Sequence, residues 1–165
     1  MYTEIFLYPK PVIAALNGHT IAGGCMMALA CDLRLMVTGK SRIGLNEVTF
    51  GSSLFPGSAL MLQYCVGTRH AESTAFFGAL MPAEEALAIG LVNEAIEPDQ
   101  LDRRQELAAK RFEAVDPTAF ASIKSLLRNE TGEAMKRIEE EYRQEMVDIW
   151  YSESTEKKLR EIKIR

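Results

Sequence analysis

The sequence predicts an α/β fold in which short buried strands alternate with helices, followed by a purely helical region. Three observations carry this. The first half holds short continuous apolar runs, such as PVIAALNG (11–18) and LRLMV (33–37), which are too brief for helices and lack the polar alternation of a half-solvated strand. Between them lie segments that close on glycine, the usual stop of a helix. From Pro98 onward the pattern becomes charged and amphipathic, without strand-like runs.

In chain order, PVIAALNG reads as a strand buried on both faces and closed by Asn-Gly. Gly23-Gly24 then opens a helix running to about Cys31, apolar all round and therefore central. Leu33–Val37 is a second strand and Ser41–Leu45 a short third one. NEVTFGSSLFPGSA is a loop rich in Gly, Ser and Pro, of the kind that lies at a surface and carries function. SALMLQYCVG and RHAESTAFFG read as two helices, each stopped by glycine, and MPAEEALAIG as a third. LVNEAI is the last strand. PDQLDRRQELAAKRFEAV, DPTAFASIKSLLRN and GEAMKRIEEEYRQEMVDIWYSES read as three amphipathic helices. In the third, Ile138, Tyr142 and Met146 recur every four residues and Ile149 and Trp150 continue the face. STEKKLREIKI, with a Ser/Thr cap, is a final helix.

A chain of 165 residues, 47% hydrophobic, is long enough for one core. A net charge of −4 and a sequence pI of about 5.3 leave no basic surplus for nucleic acid or an anionic membrane surface. No apolar run is long enough to span a bilayer, and no signal pattern opens the chain, so a cytoplasmic protein is expected. Cys25, Cys31 and Cys65 lack zinc-site spacing and read as buried reduced thiols; no metal is expected.

Few residues can carry chemistry. There is no phosphate-loop, dinucleotide-binding, zinc-protease or serine-nucleophile motif. His19 and His70 have no partner in a motif and read as structural or surface residues. Glu47 differs: it follows a short apolar strand, is flanked by Ile43, Leu45, Val48 and Phe50, and precedes a loop suited to covering an apolar ligand. Apolar surroundings raise a glutamate's pKa towards the range of a general base. Gly23 and Gly24 are the second candidate. A helix N-terminus offers unpaired N–H groups and a partial positive charge, and glycine lets a ligand oxygen reach them. Close helix–strand packing also wants glycine, and the motif alone does not separate the two readings.

KPVIAALNGHTIAGGCMMALACDLRL, then SRIGLNEVTFG and EEALAIGLVNEAI, resemble the enoyl-CoA hydratase/isomerase (crotonase) superfamily from about Pro9 to Ile96, and less specifically beyond. The resemblance implies a ClpP/crotonase-like spiral α/β core, with residues 1–97 its C-terminal part and 98–165 a helical region of the trimerising type. Members begin well before the position matched by Met1, so a core truncated at the N-terminus is expected. It would lack early strands, one oxyanion N–H and much of the adenosine pocket. The resemblance also implies an acyl-CoA thioester substrate, coenzyme A being part of it rather than a separate cofactor. Gly23 would supply one N–H of the oxyanion site. Hydratases carry a glutamate after GGC and a second at the position of Glu47; here the first position is Met26. The pattern therefore looks most like the 3-enoyl-CoA to 2-enoyl-CoA isomerases, in which one glutamate, here Glu47, takes the α-proton and returns it at the γ-carbon. Leu45, Leu54 and Phe55 would wall the acyl chain. The alternatives are hydration or thioester hydrolysis by the same scaffold, and an inactive relative that binds acyl-CoA or serves as an interaction module. A homotrimer or hexamer is implied. Lys157, Lys158 and Lys163 read individually as solvated surface, with CoA phosphates as the other option.

Overall fold

The computed structural model describes residues 1–161. Its element order is α1 (Tyr2–Phe6), β1 (Ile13–Leu16), β2 (Thr20–Ile21), α2 (Gly23–Ala30), β3 (Leu33–Val37), β4 (Ile43–Gly44), α3 (Pro56–Phe77), α4 (Ala83–Ala88), β5 (Glu94–Ile96), α5 (Leu101–Glu113), α6 (Pro117–Trp150) and α7 (Glu153–Glu161). Strands β1, β3 and β5 form one parallel sheet in the order β1-β3-β5. Strands β2 and β4 form a second parallel pair, Thr20 opposite Ile43 and Ile21 opposite Gly44. Parallel neighbours need a crossover, and α2 is the helix that carries the chain from β1 and β2 across to β3.

The main core gathers Phe6, Cys25, Met26, Leu29, Met36, Ile43, Leu45, Met61, Leu62, Leu91 and Met135. A smaller cluster of Leu35, Val37, Ile96, Leu101 and Ala108 lies between the sheet and α5. Helix α2 is central, as its all-round apolar sequence predicts: Cys25, Met26, Ala28, Leu29 and Ala30 are buried, and only Gly24 and Met27 are exposed after the helix opens. Gly67 breaks α3, its φ of +73° lying in the region that glycine tolerates, so the two expected helices are present and abut at a kink.

Four expectations are corrected. Strand β1 is not buried on both faces. It pairs only with β3 among the described residues; Ala15 is exposed and Ile13, Ala14 and Leu16 are half-buried. Helix α1 and strand β2 were not expected. A five-residue helix and a two-residue strand are too short for a periodic signal, and both are held by tertiary contact. Third, the two helices read across residues 116–150 are one 34-residue helix, α6. Gly132 does not stop it. A Cβ there would lie 2.6 Å from Leu7 Cδ2, so this glycine serves the close approach of α1. Fourth, the cap of α7 is Ser152, whose Oγ accepts from the N–H of Thr155, rather than a residue inside STEKK.

The inward face of α6 consists of Lys124, Arg128, Gly132 and Met135. Asp116 caps its start by accepting the Ala119 N–H at 2.8 Å. Lys124 and Arg128 meet Asp32, at the junction of α2 and β3, at 2.7 Å and 3.0 Å. This buried triad fixes the helical region to the sheet.

Candidate active site

The parallel pairing of β2 with β4 positions the site. It sets the mouth of α2 beside the chain that leaves β4, Leu45-Asn46-Glu47. Glycine is required at Gly44, because a Cβ there would overlap the carbonyl oxygen of Ala79. Glu47 then opens a 3₁₀ turn over Glu47–Phe50, closed by Gly51 in the left-handed region at φ +79°.

Ala22, between β2 and α2, has φ +52° and ψ −122°, the one non-glycine residue with positive φ among those described. Such backbone costs about 1–3 kcal/mol and collects at functional sites. Here it lets the Ala22 N–H donate to the Gly44 carbonyl at 3.0 Å while its own carbonyl accepts from Met26 at 3.0 Å. The N–H groups of Gly23, Gly24 and Cys25 follow in the first turn. None has a hydrogen-bond partner among the described residues, as expected of a helix start. The aligned peptides of α2 add partial positive charge at the same point.

Glu47 is 5% exposed, and its Oε2 has no hydrogen-bond partner among the described residues. Burial raises its pKa above the ordinary carboxylate range, opposed in part by a hydrogen bond from its own backbone. It lines a cleft of about 310 Å³ with Ala22, Gly23, Phe50, Phe55, Ser52 and Ser53. Met146, Val147, Trp150 and Tyr151, from the end of α6, form the far wall. Phe50 meets Trp150 edge to face at 6.3 Å. Thr155 of α7 donates to the Gly51 carbonyl at 2.7 Å, tying the C-terminal segment to the Glu47 turn. Glu47 is the one carboxylate in the cleft lining among the described residues.

The structure thus brings together Gly23, Glu47 and Phe55. It does not bring the other expected residues with them. Leu45 is fully buried in the main core, because the strand that precedes Glu47 turns it inward. Leu54 lines a separate groove with Ile138, Tyr142 and Met146. Gly24 lies one step along the helix, exposed and outside the cleft lining. Met26 is buried in the core. His19 is exposed and accepts the Arg42 N–H through Nδ1 at 3.2 Å; His70 is exposed on α3. The Cys25 thiol is pushed up by burial and stays protonated. Lys157 and Lys158 are exposed, and Lys163 lies outside the described residues. No cluster of three or more His, Cys, Asp or Glu able to hold a metal occurs among the described residues, and no helix of theirs is long and apolar enough to cross a membrane.

Sequence reasoning missed the wall contributed by Met146, Val147, Trp150 and Tyr151. Its signal was present in the apolar recurrence at the end of α6, but nothing local indicates that this face closes over Glu47.

The family profile described as enoyl-CoA hydratase/isomerase matches residues 1–161. The mitochondrial enoyl-CoA delta isomerase 1 of Rattus norvegicus is 31% identical over 162 residues, covering 96% of this chain and 55% of its own length. The short-chain-enoyl-CoA hydratase of Clostridium acetobutylicum is 35% identical over 127 residues, 77% of this chain and 48% of its own. Among solved structures, human mitochondrial delta3-delta2-enoyl-CoA isomerase superposes with a TM-score of 0.89 at 27% identity, over 97% of this chain and 62% of that one. Enoyl-CoA hydratase from Bacillus halodurans gives 0.86 at 29% identity, over 98% and 64%. The chain spans about half the length of these two curated relatives. The fold is of the crotonase type, and the chain belongs to the enoyl-CoA hydratase/isomerase family.

Proposed function

We propose that the site moves a double bond from a 3-enoyl-CoA to a 2-enoyl-CoA through a thioester enolate. The observation that carries this reading is the single unpartnered carboxylate of Glu47, buried in an apolar cleft beside the open N–H groups of α2. A proton on the carbon between the thioester and the double bond is acidified by both. The Glu47 carboxylate takes it, the negative charge moves to the thioester oxygen, and the Gly23 N–H and the helix mouth hold that charge. The same carboxyl group then gives the proton to the γ-carbon. The proton is moved and not consumed, so one carboxylate suffices. Hydration in this family asks for a second carboxylate to handle water, and the cleft lining supplies none among the described residues. The aromatic and aliphatic wall of Phe50, Phe55, Val147 and Trp150 suits an acyl chain.

Hydration is the second reading, supported by the hydratase relatives at 35% identity. Product analysis separates them. Incubated with a medium-chain 3-enoyl-CoA, the protein is expected to release the conjugated 2-enoyl-CoA, seen by its ultraviolet absorbance. A 3-hydroxyacyl-CoA product from a 2-enoyl-CoA would favour the hydratase, and free coenzyme A a hydrolase.

We also propose a homotrimer or hexamer. Helix α6 exposes Ile123, Leu126 and Leu127 on adjoining turns, an apolar strip that a second copy would cover. Light scattering should give a multiple of three chains, and a monomer would remove this assignment.

A further inference from the structure

The Gly51–Ser52 peptide carries two hydrogen bonds that link α7 to Glu47. Its N–H, from Ser52, donates to the Glu47 carbonyl at 3.0 Å. Its carbonyl, from Gly51, accepts the Thr155 hydroxyl at 2.7 Å. A peptide unit is planar, so its N–H and C=O turn together, and releasing one side loosens the other. Hydrogen bonds in such a chain also polarise and strengthen one another. Thr155 is fully buried. Its hydroxyl reaches the Ile149 carbonyl as well, at 2.8 Å, one residue before Trp150 in the far wall of the cleft. The Ile149 carbonyl has a second donor, the Ser152 N–H at 3.1 Å, whereas the Gly51 carbonyl has no other donor among the described residues. One hydroxyl thus stands between the turn that carries Glu47 and the end of the helix that forms the opposite wall. The Phe50–Trp150 ring contact spans the same gap.

We propose that Thr155 is a positioning residue: its hydroxyl holds the Gly51–Ser52 peptide, and through it the Glu47 turn, in a fixed place against the Trp150 wall. This rests on the reading of Glu47 as the base. Glu47 Oε2 has no hydrogen-bond partner among the described residues, and the carboxylate's one hydrogen bond comes from its own backbone. No neighbouring side chain aims it, so the carboxylate follows the backbone that carries it. That backbone is the turn that Thr155 ties down. Proton transfer depends steeply on placement, and a shift of about 1 Å can cost about 10²-fold in rate. Thr155 acts without touching the reacting atoms: it fixes the distance between the base and the surface on which the acyl chain lies.

Three variants test this. Thr155→Ser keeps the hydroxyl and Thr155→Val keeps the shape without it. Thr155→Ala removes the hydroxyl without pressing a methyl group on two carbonyls, and so decides the matter where the Val variant does not fold. Two quantities are measured: the double-bond shift of a medium-chain 3-enoyl-CoA, and acrylamide quenching of Trp150, the one tryptophan of the sequence. In the Val and Ala variants kcat is expected to fall by about 10- to 10²-fold, more than KM rises, and quenching to increase. The Ser variant should stay within twofold of wild type in both. A rise in KM alone, a kcat within twofold of wild type in Thr155→Ala, or a Ser variant as impaired as Ala would overturn the role of Thr155 while leaving Glu47 as the base. A wild-type protein without a double-bond shift would overturn the isomerase reading, and quenching then judges Thr155 by itself. An increase in Ala but not in Ser would uphold its hold on the wall, and equal quenching in wild type and Ala would overturn that too.

Discussion

Replacing Glu47 by Gln is expected to slow proton transfer by about 10²- to 10⁴-fold while leaving the folded protein as stable as wild type or more stable. The first part follows from geometry, because Glu47 is the one carboxylate in the cleft lining among the described residues. The second follows from its burial. A carboxyl group whose pKa is higher in the folded protein than in the unfolded chain binds its proton more tightly when folded. As pH rises from the unfolded value through the raised folded value, the unfolded chain loses its proton first. Stability therefore falls across that window, and above it the buried carboxylate ion remains a cost. Gln has nearly the same shape and never ionises, so it removes this cost. Under the proposed mechanism the same raised pKa sets the acid limb of the activity profile: a general base works only when ionised, so turnover should rise with pH through a value above the ordinary glutamate range. Stopped or steady-state assays across pH, with thermal melts of both proteins, check all of this. A Gln variant that unfolds at neutral pH, or that keeps wild-type turnover, would show that Glu47 is structural.

The largest effect on stability should come from Asp32→Asn, a loss of about 3–5 kcal/mol. Asp32 receives three partners in a small buried space. Its Oδ2 accepts from the Val12 N–H and from Lys124 Nζ, both at 2.7 Å, and its Oδ1 pairs with Arg128 at 3.0 Å. Arg128 also donates to the Phe6 and Ala30 carbonyls and lies over the Phe6 ring, 4.4 Å from its centroid. Asparagine would preserve the shape and leave two buried cations without a counter-charge. Lys124 is the group that can relieve this. Burial already lowers its pKa, with Asp32 as the opposing influence, so removing the carboxylate lowers it further. The variant should regain stability as pH rises towards the ordinary lysine value, because the folded protein then holds fewer protons than the unfolded chain. Urea titrations at several pH values test this. A loss under about 1 kcal/mol would mean that α6 is held by its apolar contacts alone.

Several elements were legible because their signals are local. The apolar run LRLMV is β3, and the Gly-closed segments are α3 and α4, since glycine at positive φ needs no distant partner to end a helix. Glu47 stood out by an ionisable side chain amid apolar neighbours, a contrast that sequence displays directly. Helix α6 shows where such reading fails. Its apolar residues Ile123, Leu126 and Leu127 face outward, and its buried stripe holds Lys124 and Arg128. A hydrophobic pattern points to the wrong face there, because the inward face is chosen by charge pairing with Asp32, 92 residues away from Lys124. The spacing of the two cations by four residues was visible, but their carboxylate partner was not.

The sequence by itself determined the family, the α/β class, the glycine-opened helix and the identity of the one candidate base. Each depends on residue type and short-range spacing, which a linear chain carries whole. Only the tertiary structure decided which of these residues meet. The parallel β2–β4 pair brings Gly23 to Glu47, the end of α6 closes the cleft, and Leu45 turns into the core. These contacts are fixed by the balance of burial and pairing across the whole chain, a quantity that no single stretch of sequence contains.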